Sequence, residues 1–545
     1  MDKLTYLDKY PELDLSMSDS NIGARKNKNI RNHLFIIHGV INSVIQGEDK
    51  CVDLQVYDLE QCFDALWLED CLNDLYDSLP EEMRDDKLAL IYQTNVNNLV
   101  AVNTAVGQSD RVEIPRIVQQ GGGWGPMECS NSVDTLGKRC NKRGIHFYLY
   151  KHMVRVLPLA MVDDILGISV CGNKSIMMNT FINTHIEMKR LKFHTPNTTG
   201  KSKCHKLHVG KVNTLCPELL VHGTPMEMVK SEVYLGDVLS SDGTNSENVK
   251  KRISKGNGIL AQIKNILETV SFGKHYFKIA LLLRESLLLN GILTNSEVWY
   301  GLKKSEIADL EKLDIMFFRT LFQVPKTVPT VSLYLETGCL RINTILKVRR
   351  LNFLQYLVKL DKKEMLYKFF IAQWKHPVQA DWTNEVKQNL SEFELPSQLE
   401  HLESMSKNTF KRIVNKKAKE IEFINLLENK QSKSKMKNLQ FIEFKIQDYL
   451  LLETMNVSQA RALFKFRVRM APFGENFRGG QNNVICPLCK MHPDGQEESF
   501  SCVQMKKLID IKGDYKQIFG WKFSPELVKT VQNIYTFREE LRKLG

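Results

Sequence analysis

Residues 157–170 read Leu-Pro-Leu-Ala-Met-Val-Asp-Asp-Ile-Leu-Gly-Ile-Ser-Val, two adjacent carboxylates at the centre of an otherwise apolar run. A run of this kind is expected to fold as a buried β-hairpin with Asp163 and Asp164 at its turn. Two carboxylates held there repel each other and lose hydration, a cost that a cation or a hydrogen-bond network offsets. An Asp-Asp turn open to water satisfies the same pattern, and the pair by itself does not separate the two readings.

A second acidic strand end stands upstream. In the segment 51–67, Val52, Leu54 and Val56 alternate with polar neighbours, which predicts a strand with one buried face. Asp58 closes that strand, and Asp64 is expected to N-cap a helix carrying Trp67, Leu68, Cys71, Leu72 and Leu75. Antiparallel pairing of the two segments would bring Asp58 and Asp163 to one end of a sheet. Carboxylates on neighbouring strands, with little His or Cys nearby, suit hard cations such as Mg²⁺ or Mn²⁺. Two such ions about 3.5–4 Å apart activate an attacking hydroxyl and stabilise a leaving oxygen in phosphoryl transfer.

The rest of the chain sets limits on this reading. Its 545 residues exceed a usual single domain, so two to four domains are expected. A net charge of +12 fits a polyanionic partner, although proteins with other roles are equally basic. Met1-Asp-Lys-Leu-Thr-Tyr lacks the apolar core of a secretory signal. The most apolar helical segment, 279–293, is interrupted by Arg284 and Glu285, which argues against a membrane span. Nine of the twelve cysteines have no framework spacing, as expected of reduced thiols in the cytosol or nucleus.

From about 18 to 240, short strand-like and helical runs alternate, indicating α+β, with Gly/Pro punctuation at 121–126 and a polar stretch at 195–203. Beyond about 245 helical spacing takes over in 247–270, 274–294, 303–323 and 341–361, as in Ile307, Leu310, Leu313, Phe317 and Leu321. A polar stretch near 390–405 reads as a linker. A basic helix follows, carrying Lys407, Lys411, Arg412, Lys416, Lys417, Lys419, Lys430, Lys433, Lys435 and Lys437; it is a solvated face or a phosphate contact.

The order of these segments resembles the reverse transcriptase of non-LTR retrotransposons. Asp58-Leu-Glu-Gln-Cys-Phe-Asp looks like the family's first catalytic motif, an Asp followed five residues later by an aromatic. Val118-Gln-Gln-Gly-Gly-Gly-Trp-Gly-Pro resembles its substrate-positioning loop. Ala160-Met-Val-Asp-Asp resembles its aromatic-x-Asp-Asp box, with Met161 where an aromatic is usual. Tyr234-Leu-Gly-Asp-Val-Leu-Ser-Ser-Asp-Gly and Val249-Lys-Lys-Arg-Ile are similar to the primer-grip hairpin running into the thumb. Ser296-Glu-Val-Trp is similar to a thumb box of these elements. The likeness covers roughly residues 16–360.

The resemblance implies a right-hand polymerase: α+β fingers and palm with an antiparallel sheet, then a mostly α-helical thumb and C-terminal extension. The expected divisions are 1–240 partial fingers and palm, 241–390 thumb, 391–475 basic helical extension and 476–545 Cys-rich module. Asp58 and Asp163 would hold two Mg²⁺ (or Mn²⁺) ions, with the Leu59 carbonyl as a further oxygen and Asp164 as the weaker third ligand. Phe63 would exclude a 2′-hydroxyl. Gln120 and Gly121 would begin a loop packed under the nucleotide, where glycine permits close backbone approach. Arg25 is the choice for a triphosphate contact, with Lys26, Lys28 and Arg31 as competitors. Lys203 aligns loosely with a lysine that protonates departing pyrophosphate, and equally suits an ordinary exposed lysine. Cys486, Cys489 and Cys502, with His492 at unusual spacing, would bind Zn²⁺, or the CxxC caps a turn or redox-cycles. Glu498 occupies the position where these elements usually have histidine.

Implied partners are an RNA template, a DNA primer or target and a deoxynucleotide, with a nuclear or cytoplasmic location and no membrane. The family's further fingers segments would stand upstream of position 18, so the resemblance implies an N-terminally shortened copy. Three other readings remain: a catalytically inactive remnant that binds RNA or DNA, an RNA-dependent RNA polymerase, and a group II intron protein.

Overall fold

The computed structural model describes residues 18–23, 25, 28–46, 51–78, 81, 84, 99–113, 125–149, 154–195, 203–210, 216–269, 275–378, 380–436, 438–452, 455–477, 484–520 and 523–544. The chain is mixed α+β, with a small mixed sheet in its first half and a helical C-terminal half. It divides into two compact units, neither contiguous in sequence.

The first unit comprises 1–248, 297–302 and 353–388. Its sheet has the order β5-β4-β1-β3-β2, where β1 is Val52–Asp58, β2 Leu159–Met161, β3 Asp164–Val170, β4 His205–Val209 and β5 Glu227–Val229. Neighbouring strands are antiparallel except β4 and β5. The expected hairpin forms, but Met161 pairs with Asp164, so the turn residues are Val162 and Asp163 and Asp164 opens β3.

Val52, Leu54 and Val56 are buried as predicted, yet the intervening polar residues are buried too. Asp53, Gln55 and Tyr57 are all 0% exposed. Their polar atoms find partners far along the chain. Gln55 Nε2 donates to Ser169 Oγ at 3.2 Å and to Ser175 O and Oγ at 3.0 Å. Tyr57 Oη donates to Gln55 Oε1 at 2.7 Å and accepts from Asn179 Nδ2 at 2.8 Å. The expected single buried face is therefore two, because hydrogen bonding offsets the desolvation of the second.

Three helices cover the Tyr57 face: α2 (Leu68–Ser78), α3 (Gly125–Arg143) and α4 (Asn173–Met188). Cys71, Cys129, Val133, Leu136, Met178, Ile182 and Ile186 close one apolar core there with Tyr57 and Ile165. A further helix, α1 (Ile30–Gln46), places Phe35 edge-on to Phe353, Phe369 and Trp382, with centroids 5.5, 5.7 and 4.9 Å away. Asp64 does not cap α2. It lies inside a separate turn, Cys62–Ala65, because the chain goes extended at Leu66 to bury that side chain.

The second unit comprises 249–296, 303–352 and 389–545, and its described residues contain no named strand. The predicted segments appear as helices Ser246–Thr269, Lys304–Phe322 and Ile342–Val358. The fourth begins as Tyr276–Leu283 and then widens into a π-helical stretch, Arg284–Leu289. Arg284 points inward there and donates to both oxygens of buried Asp314, at 2.6 and 2.7 Å. The stretch read as a linker is partly helical, since Leu399–Ser404 forms a short helix anchored by buried Leu402. The basic helix spans Lys407–Gln431, with the Ser406 side chain accepting from Thr409 N at 3.1 Å. Among the described residues, no helix is long and apolar enough to cross a membrane.

Candidate functional site

The pairing of β1 with β3 sets Asp58 directly opposite Asp164. Directly opposed residues project to one face of a sheet, so these two carboxylates share a face at the strand ends. Asp163 follows Val162 in the turn, one residue outside the ladder. The sequence-based expectation paired Asp58 with Asp163; the register pairs it with Asp164.

The turn is strained. Val162 has φ 60°, a left-handed value unfavourable for a β-branched residue. A buttress holds it. Ile22 N donates to Ala160 O at 3.1 Å and Ala160 N to Ser20 O at 2.9 Å, adding the segment 20–22 to the edge at β2. Gly23 lies under the turn, where a Cβ would come within 2.9 Å of Val162 N and 2.5 Å of Ser130 Oγ. Ser130 Oγ in turn donates to Gly23 O at 2.9 Å.

Burial first, then the charges of Asp163 and Asp58, push the Asp164 carboxyl up to about 6. Asp163 is also raised, by burial and then by Asp58, against the opposing pull of its own backbone amide, Lys203 and His194. Two basic side chains attend Asp58: His194 Nε2 lies 3.2 Å from Oδ1, and Lys203 Nζ 3.6 Å from Oδ2. Backbone pairing delivers both. His194 N donates to Asp58 O at 3.0 Å, and Lys203 N donates to His194 O at 3.2 Å. Lys203 thus joins the carboxylates, and His194 is a neighbour that sequence reasoning missed.

Leu59 is buried and forms an isolated bridge with Phe193. Phe63 is half-buried at the edge of the apolar core below. The hairpin of β6 (Ser231–Tyr234) and β7 (Asp237–Ser240) turns through Leu235 and Gly236, with φ 46° and 83°. Both positive values match the tight turns that suit twisted hairpins. Its Tyr234 is buried with no hydrogen-bond partner for Oη among the described residues, and its hydroxyl is raised by burial and by the charge of Asp164.

The basic residues chosen for phosphate are engaged otherwise. Arg25 Nη1 donates to Ser18 O at 2.7 Å and Asn21 O at 2.8 Å, bracing the same buttress. Lys28 pairs with Glu364, and Arg31 Nη1 lies 2.9 Å from Glu297 Oε1. Lys26, Gln120 and Gly121 lie outside the described residues.

The donor set at the strand ends is rich in oxygen and its charge is only partly balanced. Of the three carboxylates, two are held above the ordinary range; their oxygens do not all lie within 4.8 Å of one another, so a hard divalent cation would have to draw them together, and its charge would reverse those shifts. In the second unit, Cys486, Cys489 and Cys502 bring their Sγ atoms within 4.8 Å of one another. His492 is not part of that triad, but it lines the same small cavity as Cys486 and Cys502, as does Glu498. Amides of Met491 and His492 hold the Cys489 thiol below its usual range, whereas burial raises Cys486. Three convergent thiols fit a soft divalent ion. Compared with models of known protein families and with curated protein sequences, the chain matches none.

Proposed function

We propose that the chain is the RNA-directed DNA polymerase of a non-LTR retrotransposon, built on a right-hand polymerase fold. What supports this reading most is the meeting of Asp58, Asp163 and Asp164 at one end of the sheet. Asp58, Asp163, Asp164 and the Leu59 carbonyl would hold Mg²⁺ or Mn²⁺, which supplies charge neutralisation at phosphates and a more acidic attacking hydroxyl. The primer 3′-hydroxyl attacks the α-phosphate of a deoxynucleotide; a P–O bond forms, the α–β anhydride breaks and pyrophosphate leaves. Lys203, whose Nζ lies 3.6 Å from Asp58 Oδ2, would give the leaving group a proton. Phe63 would lie against the sugar and reject ribonucleotides. Gln120 and Gly121 would support the nucleotide from below. The three cysteines of the C-terminal module, with His492 or Glu498, would hold Zn²⁺ as a structural ion.

The test is extension of oligo(dT) on poly(rA) by the full chain, with Mg²⁺ or Mn²⁺, against Asp163→Asn. Extension by the natural chain alone supports the reading. A second reading, a nucleic-acid-binding remnant without catalysis, is favoured by the carbonyl contacts that occupy the Arg25 guanidinium. It predicts tight, salt-sensitive RNA binding and no extension with either ion.

A further inference from the structure

The opposite end of β1 carries a second constellation, on the face away from Asp58. Asp53 and His208 are direct cross-strand partners, with His208 Nδ1 2.9 Å from Asp53 Oδ1. Cys171, just past β3, places Sγ 3.6 Å from that same oxygen and 3.5 Å from His208 Nδ1. Cys216, exposed on the segment after β4, places Sγ 3.7 Å from His208 Nδ1. These four atoms come from four different stretches of chain.

We propose that Asp53, Cys171, His208 and Cys216 form a tetrahedral site for a soft divalent cation of the zinc class. With Zn–S near 2.3 Å and Zn–N or Zn–O near 2.0–2.1 Å, ligand atoms around a tetrahedral ion stand about 3.3–3.8 Å apart. The two Cys171 separations fall at this value; Cys216 stands 3.7 Å from His208 Nδ1 but outside the group of Asp53, Cys171 and His208 whose ligand atoms all lie within 4.8 Å of one another, so it closes in as the fourth ligand on loading. The His208–Asp53 contact is shorter and opens slightly on loading.

The surroundings favour an ion. Asp53 is completely buried, and its Oδ2 has no hydrogen bond, only the Lys206 ammonium at 3.6 Å. Lys206 thereby stays on one oxygen and leaves Oδ1 for the ion. Lys206 Nζ also donates to Pro217 O at 2.7 Å, which fixes the backbone next to Cys216. Cys171 and His208 are only partly buried, so an ion reaches the site from solvent. Burial and the neighbouring Cys51 and Asp53 raise the Cys171 thiol, so loading releases its proton. The site does not depend on the polymerase reading, since none of its residues belongs to that machinery.

The experiment uses the full chain with Cys486→Ser and Cys489→Ser, which silence the other thiol cluster. The protein is stripped with chelator under reducing conditions and reloaded with Co²⁺. The expected result is one equivalent of thiolate-bound cobalt, read from thiolate-to-cobalt absorption and the visible bands of a tetrahedral ion; their absence overturns the proposal. Cys171→Ser and His208→Gln abolish these bands, Cys216→Ser weakens them and Cys140→Ser leaves them intact. Cys216 is exposed, so its substitution reads ligation without threatening the fold; far-UV circular dichroism checks the other two. Absence of bound Co²⁺ overturns the proposal, as do bands that survive both Cys171→Ser and His208→Gln. A Cys51–Cys171 disulfide found by mass spectrometry in the reduced preparation overturns it as well.

Discussion

Asp58 and Asp164 face each other across paired antiparallel strands, and the His194 imidazole and the Lys203 ammonium stand 3.2 and 3.6 Å from the two oxygens of Asp58. Burial and mutual repulsion hold the hairpin carboxylates, Asp163 and Asp164, above their ordinary range. Relief of that repulsion is measurable without any knowledge of a substrate.

Between the ordinary value of 3.8 and about 6, folded Asp164 holds more protons than the same residue in the unfolded chain. Stability thus falls as pH rises through that window and levels off above it, and Asp163 acts in the same direction. Urea midpoints of metal-free natural chain minus Asp164→Asn should decline from about pH 4 to about pH 6. Added Mg²⁺ should restore the loss only in the natural chain. Parallel profiles for the two proteins would refute the electrostatic account.

Gly23 is required by the Val162 turn rather than by its own backbone. Gly23→Ala puts a methyl against Val162 N and Ser130 Oγ, an overpacking cost of about 1–3 kcal/mol. Chemical denaturation measures it. Primer extension, if the proposed activity holds, should fall further than stability alone explains, because the turn carries Asp163.

Substitutions of Phe63 and Lys203 separate two roles. Phe63→Ala should raise ribonucleotide incorporation relative to deoxynucleotide incorporation, and an unchanged ratio removes the gate. Lys203→Ala should lower kcat with little change in KM, and Lys203→Arg, which keeps the charge but does not release its proton, should not restore it. Recovery of activity in the arginine variant argues for a charge role and against a proton role.

In the second unit, Arg284 and Asp314 form a buried bidentate pair, and Tyr334 Oη donates to Asp314 Oδ2 at 3.0 Å. Arg284→Met leaves a buried carboxylate without its cation and should cost about 3–5 kcal/mol. Joining Asp314→Leu to it should recover most of that loss in a denaturant titration. A double variant as unstable as the single one would show that packing around the π-helical stretch, not charge, sets the cost.

Local pattern made much of this legible. The alternation of Val52, Leu54 and Val56 marks β1, the apolar frame around Asp163 and Asp164 marks the hairpin, and the helical spacing of Leu310, Leu313, Phe317 and Leu321 marks its helix. What escaped was decided by distant partners. Gln55 looked solvent-facing because Ser169 and Ser175 lie more than a hundred residues away. His194 reaches Asp58 only through the backbone pairing of Leu59 with Phe193. Asp64 lost its capping role to the burial of Leu66, and nothing in the chain's local polarity announces that choice. Asp53, Cys171, His208 and Cys216 follow no short spacing, since the sheet assembles them from separate strands and a loop.

Asp53 and Asp58 are five positions apart on one strand, an odd interval that sends them to opposite faces. Deleting any single residue between them would make the interval even and put both carboxylates on the same side. One would then enter the apolar core beneath α4, or the other would leave His208. Length between these two aspartates is therefore held more tightly than the identity of any residue there, and a family sharing this sheet should tolerate exchanges at 54–57 long before it tolerates an insertion or a gap.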